Sequence, residues 1–262
     1  MKIGLIGFGA IGREMMRYIV EGAGPDIEVA GVLVANPAKH TATPWKVFGD
    51  PAALLAAGPD LIVECASQKA FAALAPVMLA AGKDVLAGSV GALADKRVHA
   101  AIENAAERGG SQLFIPAGAL AGIDALAAAK AVGISAVSYT RSAPPATWAA
   151  HEAARGIDLA ALTAPHLIFE GTARVAAQRF PKNANVAAVI ALAGIGFEQT
   201  KVMIYADPAV QSNVHTIDAE GRFGRLHTQI SATRISETTT SSRIVAGSLA
   251  RGVMSRTQRI AM

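Results

Sequence analysis

Three glycines near the chain start and two histidines near its end have the type and spacing to do chemistry. Gly7, Gly9 and Gly12 form G-x-G-x-x-G inside KIGLIGFGAIGREM, residues 2–15. This spacing permits a tight turn at the first glycine, close backbone approach to a ligand at the second, and close helix–strand packing at the third. A helix opening at Ala10 and Ile11 then offers free N–H groups and positive potential to a pyrophosphate. The motif predicts a bound dinucleotide touching Gly7, Gly9, Ala10, Ile11 and Gly12. His215 and His227 lie on two β-rich segments that read as one hairpin, and an imidazole titrates in the range that suits proton transfer. Alternation puts His215 on a face with Asn213 and Ile217, and His227 on a face with Arg225 and Gln229. On the residues alone the two are equivalent candidates, each of which can also be a structural histidine.

The second strand ends in EVAGVLVANPAKH, where a dinucleotide site usually carries an acid for the ribose hydroxyls. Asn36 stands there instead and can hydrogen-bond a ribose. Lys39 and His40 are close enough in sequence to meet a 2′-phosphate, so NAD or NADP is expected without strict choice. The stretch ECASQ, residues 64–68, follows another strand at the ligand-binding edge. Cys65 and Ala66 are expected to contact the cofactor through their backbone. With no base nearby, the thiol reads as a small buried group rather than a nucleophile.

The elements that must position these residues alternate. Residues 3–6, 29–34, 60–65, 84–87 and 112–115 read as strands, and 10–20, 69–81 and 96–108 as helices. Strands separated by helices pair in parallel, giving an α/β doubly wound sheet. After Pro116 the pattern changes. Residues 117–133 read as a helix, 134–140 as a strand, and 141–148 as a proline-rich turn or linker. Two helices, 171–180 and 185–194, break at Pro181. Residues 201–205, 213–218 and 223–234 read as strands, with a turn at 219–222, and 239–254 as a helix returning to the first domain. The expected organisation is an N-terminal Rossmann domain, residues 1–115 plus 238–262. An α+β substrate and dimerisation domain with an open mixed sheet spans 116–237.

Composition excludes several classes. One cysteine allows no internal disulfide, and the six scattered histidines show no paired spacing, so no metal site is expected. No apolar run reaches the roughly 18 residues of a membrane span. The N-terminal strand runs straight into the glycine turn without the features of a signal peptide, so a cytoplasmic enzyme is expected. Seven arginines against one acid in residues 222–262 give the net charge of +4 its uneven distribution. They are spread along strand-like and helix-like stretches, without lysine, which predicts pairing with carboxylates, phosphates or an oligomer rather than with nucleic acid. His40, His99, His151 and His166 read as surface residues.

The chain resembles the L-aspartate dehydrogenases tied to NAD biosynthesis. The likeness is carried by GFGAIG, by AGSVGAL at 87–93, by IPAGALAGIDAL at 115–126, by the long stretch at 169–202, and by SNVHTIDAEGRFG at 212–224. It implies oxidative deamination of L-aspartate to oxaloacetate and ammonia through iminoaspartate, with NAD or NADP, in a homodimer. It carries the catalytic acid/base role onto His215 and cofactor contacts onto Ala119 and Asn185. Without the resemblance, Asn185 reads as a helix cap or a solvated residue. The substrate's two carboxylates need cationic partners, for which Lys182, Arg141, Arg225 and Arg234 are unranked candidates. Two alternatives fit the same plan: a homoserine dehydrogenase or dihydrodipicolinate reductase relative, and a non-catalytic NAD(P)H-binding sensor. A sugar dehydrogenase fits less well, because AGSVGAL stands where an E-K-P motif belongs.

Overall fold

In the computed structural model the described residues are 1–22, 26–40, 43–149, 156, 158–180, 184–236 and 241–260. They form two units, Met1–Gly118 with Arg234–Met262, and Ala119–Thr233. His151, Lys182 and the break at Pro181 lie outside the described residues.

The first unit is built on six strands: β1 (Lys2–Ile6), β2 (Glu28–Leu33), β3 (Val47–Phe48), β4 (Leu61–Glu64), β5 (Asp84–Ala87) and β6 (Leu113–Phe114). They pair in the order β3-β2-β1-β4-β5-β6, with every pair parallel. The central strands are apolar along most of their length, because helices cover both faces of such a sheet. Helix α1 (Ala10–Gly22) buries Gly12, Met15, Met16 and Ile19, one stripe at three- and four-residue spacing. Two short elements escape a periodicity reading: β3, with two residues, and α2 (Pro51–Ala56), with six. Helix α2 starts where Asp50 accepts from Ala52 N–H and Pro51 presets the first turn. Helices α3 (Gln68–Ala80) and α4 (Lys96–Gly109) follow β4 and β5, capped by Ser67 and Asp95.

The second unit holds a mixed sheet of β7 (Ile134–Ala143), β8 (His166–Thr172), β9 (Lys201–Ala206), β10 (Asn213–Gly221) and β11 (Gly224–Ala232). Its order is β11-β10-β7-β9-β8. Only β7 and β9 pair in parallel. Along β7 the residues Val137, Tyr139, Arg141 and Ala143 are buried, as are His215, Ile217 and Ala219 along β10. Helices α5 (Ile123–Val132), α6 (Ala173–Arg179) and α7 (Ala184–Ala193) also belong to this unit. The last helix, α8 (Arg243–Met254), belongs to the first unit, where Ala246, Leu249, Ala250 and Val253 share one core with Met15, Met16 and Ile19.

Four expectations from sequence are corrected here. The helix read at 117–133 begins only at Ile123. Gly118 and Gly122 adopt positive φ of 65° and 72°, which ends any helix before them. The turn read at 141–148 is strand as far as Ala143, followed by a 3₁₀ turn at Pro145–Trp148. His166 opens β8 and is half-buried, not a loop residue on the surface. The hairpin turn is tighter than 219–222: Gly221 pairs with Gly224, which leaves Arg222 and Phe223 as its two-residue loop.

Candidate active site

The glycine motif forms a cradle whose three members differ in what surrounds them. Gly7 sits at φ +87°, and a Cβ there would lie 2.6 Å from the Ala66 Cβ. At Gly12 a Cβ would meet the Cys65 Sγ at 2.9 Å. At Gly9 nothing lies within 4 Å. The first and third glycines are therefore required by the protein's own packing, and the second faces open space. Ala10 and Ile11 begin α1, whose first turn carries no acidic residue. A pyrophosphate would meet bare N–H groups and no competing carboxylate, so the residues present fit a dinucleotide.

Asn36 is exposed at the end of β2. Its Oδ1 accepts from Ala38 N–H at 3.2 Å and caps a 3₁₀ turn, leaving its amide N–H₂ as a donor. Cys65 and Ala66 follow β4 beside the cradle, and their N–H groups are already committed. Cys65 N–H donates to Ile6 O at 2.9 Å, and Ala66 N–H to Glu64 Oε1 at 2.8 Å. Any cofactor contact there runs through carbonyl oxygens or the side-chain surface. The Cys65 thiol lies 3.3 Å from Gly7 O, and burial, with the neighbouring Glu64 charge, pushes it far above the ordinary thiol range. It packs rather than reacts.

Sequence reading passed over Glu64. It closes the apolar run of β4 and looks like a solvated strand end, yet it is fully buried. Its second oxygen accepts from Ser89 N–H at 2.9 Å, so one carboxylate ties the loop after β4 to the loop after β5. Burial raises its pKa, against the pull of the N–H groups of Ala66, Ser89 and Ser67. An acid directly after three buried apolar residues was the available signal.

In the second unit the two histidines part company. His227 is exposed and its Nδ1 lies 2.6 Å from Asp218 Oδ1. His215 is buried, 6% exposed, with its Nδ1 2.7 Å from the Tyr139 hydroxyl and the two rings stacked at 17°. Burial first, and the charge of Arg141 second, lower its pKa to about 4. It is neutral near pH 7, not half-titrated as the sequence argument for a neutral-range base supposes. Arg141 pairs with His215 across β7 and β10. It is 5% exposed, donates from Nη2 to Asn213 Oδ1 at 2.9 Å, and lies over the Trp148 ring at 4.6 Å. Tyr139 was also missed: it is 76 residues from His215 in the chain, and only the strand register brings them together.

The other carboxylate candidates differ from Arg141. Arg225 is exposed, with its Nε 3.9 Å from Glu220, and Arg234 is exposed and falls in the first unit. Ala119 is buried just ahead of α5. That segment is held by the Thr228 hydroxyl donating to Ala121 O at 3.1 Å. Asn185 is the second residue of α7 and half-buried, inside the first turn rather than at its cap. Among the described residues no group of three or more His, Cys, Asp or Glu is arranged to hold a metal ion. No helix among them is long and apolar enough to cross a membrane.

Comparison with known proteins agrees along the chain. Residues 124–256 match the family described as aspartate dehydrogenase, C-terminal, and residues 7–116 match homoserine dehydrogenase, NAD binding domain. L-aspartate dehydrogenase 1 of Bordetella bronchiseptica is 43% identical over 254 residues, covering 97% of this chain and 95% of that one. L-aspartate dehydrogenase of Methanosarcina barkeri is 41% identical over 238 residues, covering 88% and 87%. The crystal structure of aspartate dehydrogenase from Thermotoga maritima superposes with a TM-score of 0.79 at 24% identity, covering 100% of this chain and 99% of that one.

Proposed function

The chain belongs to the aspartate dehydrogenase family, and from that premise we propose that it oxidatively deaminates L-aspartate to oxaloacetate and ammonia through iminoaspartate. The cofactor is NAD or NADP, bound by the glycine cradle of the first unit. When bound, the nicotinamide supplies the hydride acceptor. The observation that carries the rest is the pairing of a buried, neutral imidazole with a buried guanidinium on one sheet face, in a chain that also holds a dinucleotide cradle.

Each residue then has a task set by its chemistry. Hydride leaves Cα only if the nitrogen lone pair can take up the positive charge, so the amine must shed its ammonium proton before or during transfer. Water then adds to the imine, and ammonia leaves from the resulting carbinolamine. His215 is the group that handles hydrogen bonds and protons at that nitrogen and oxygen. Arg141 is the partner for a substrate carboxylate, since a planar guanidinium pairs such a group through two parallel N–H bonds. A carboxylate bound there also offsets the positive charge that helps hold His215 neutral, so substrate raises the imidazole's basicity on arrival. Ala119 and Asn185 are read as cofactor contacts, and Asn36, Cys65 and Ala66 as the walls of the cofactor site in the first unit.

The wider setting is part of the same reading: a homodimer working in the cytoplasm, feeding NAD biosynthesis, with a small dicarboxylate as its partner and neither nucleic acid nor membrane. The test is a panel of L-aspartate, L-homoserine and other amino acids with NAD and NADP, followed by cofactor absorbance. Turnover confined to aspartate supports the reading. Turnover of homoserine without aspartate replaces it with the homoserine dehydrogenase alternative, and tight NADH binding without any turnover replaces it with the sensor.

A further inference from the structure

The bond between Tyr139 and His215 has two possible directions, and they give the enzyme different chemistry. Nδ1 and the hydroxyl are 2.7 Å apart, so one of them donates and the other accepts. If Nδ1–H donates, Nε2 carries a lone pair and the Tyr139 proton needs another acceptor. If the hydroxyl donates, Nδ1 is the acceptor and the single imidazole proton sits on Nε2. Tyr139 is 1% exposed and its hydroxyl lies on the buried sheet face, where a stranded O–H is penalised. Among the described residues, His215 is the group bonded to that hydroxyl.

We propose that Tyr139 is a positioning residue of the reaction, donating its hydroxyl proton to Nδ1 of His215 and so holding the resting imidazole with its proton on Nε2. This rests on the reading of His215 as the group that meets substrate, and adds which nitrogen does so and in what state. The resting imidazole enters as a hydrogen-bond donor. Its natural acceptor is the oxygen of the 2-oxo acid, or the same oxygen in the carbinolamine, which gathers negative charge as ammonia adds or leaves. A neutral imidazole can act in this way, and burial beside Arg141 keeps this one neutral. A tyrosine hydroxyl can also accept. The opposite setting, Nδ1–H donating to Oη with the lone pair on Nε2, requires the imidazole proton to leave Nε2 and another to arrive on Nδ1, and it leaves the Tyr139 O–H without its acceptor. A carboxylate in place of Tyr139 would enforce only this second setting, and a phenyl ring would enforce neither. The stacked rings hold the imidazole plane in the orientation that this bond requires.

The experiment has two independent parts, both on the full chain. First, ring-nitrogen NMR of the histidine-labelled wild type, with the His215 signal identified by its loss in His215→Asn, reads the tautomer directly. A proton on Nε2 supports the proposal, and a proton on Nδ1 overturns it whether or not Tyr139→Phe folds. Second, Tyr139→Phe removes only the hydroxyl. The expected result is a kcat lowered about tenfold or more at an unchanged KM for the cofactor, with the His215 ring-nitrogen shifts moved toward a mixture of tautomers. Wild-type kcat with unmoved shifts would overturn the role of Tyr139. A wild type that turns over no aspartate would remove the functional reading but leave the tautomer result intact.

Discussion

Arg141 and His215 lie directly opposite each other on β7 and β10, both buried on the same side of the sheet. A guanidinium there penalises protonation of the imidazole and suits an incoming carboxylate, so in the proposed function one residue tunes the base and recruits the substrate. Arg141→Leu is expected to raise the KM for aspartate by about ten- to a hundredfold, the cost of one charge-assisted pair. The KM for the cofactor should not change. Steady-state kinetics with each substrate varied in turn checks this. An unchanged aspartate KM would return the anchoring role to other cations.

Acid should destabilise the fold through His215. Its pKa falls from 6.5 in the unfolded chain to about 4 in the native state, so the unfolded chain binds the proton more readily. The stabilisation is present in full above pH 6.5 and is lost as pH falls through about 4. Its size is about 3 kcal/mol. Urea unfolding at a series of pH values should show this loss in the wild type and a flatter dependence in His215→Asn. Parallel curves for the two proteins would contradict it.

The glycine cradle predicts opposite outcomes at neighbouring positions. Gly7→Ala forces a side chain into positive φ and against Ala66, and should lower stability by about 1–3 kcal/mol. Gly9→Ala meets nothing in the protein and should leave the melting temperature close to wild type. Its effect should fall on the cofactor, as weaker NADH binding in a fluorescence titration. A destabilised Gly9→Ala that binds NADH normally would show that the open space serves no ligand.

Glu64→Gln tests the carboxylate that joins two loops at the sheet edge. An amide keeps one acceptor oxygen but turns an N–H₂ toward Ala66 or Ser89, leaving a buried N–H without its partner. The expected cost is about 1–3 kcal/mol in unfolding free energy. The cofactor KM should also rise, since Ala66 stands beside the cradle. Thermal melts with and without NADH separate the two effects.

The sheet of the first unit is legible because its strands are continuous apolar runs separated by amphipathic helices, a pattern that admits few alternatives. The three glycines are legible because a backbone requirement leaves a residue type behind. What stays hidden has a physical reason in each case. A two-residue strand and a six-residue helix are shorter than the period that would reveal them. β8 went unread: the helical reading that begins at Gly171 takes only its last two residues, where Thr172 caps α6. Alternation along β7 already puts Tyr139 and Arg141 on one face, but that His215 lies on the adjoining strand is a fact of register, which local sequence does not encode. Two histidines equivalent in pattern differ completely in burial for the same reason: they project from opposite faces of one hairpin.

Whether the imidazole at 215 serves deamination of aspartate is read by setting the wild type beside His215→Asn. Both proteins are mixed with L-aspartate and saturating NAD or NADP, and the rate of reduced-cofactor formation is read alongside cofactor binding measured separately. The wild type should reduce the cofactor in an aspartate-dependent reaction. The variant should bind cofactor equally well and turn over about a hundredfold more slowly or worse. Equal rates in the two proteins would contradict that role.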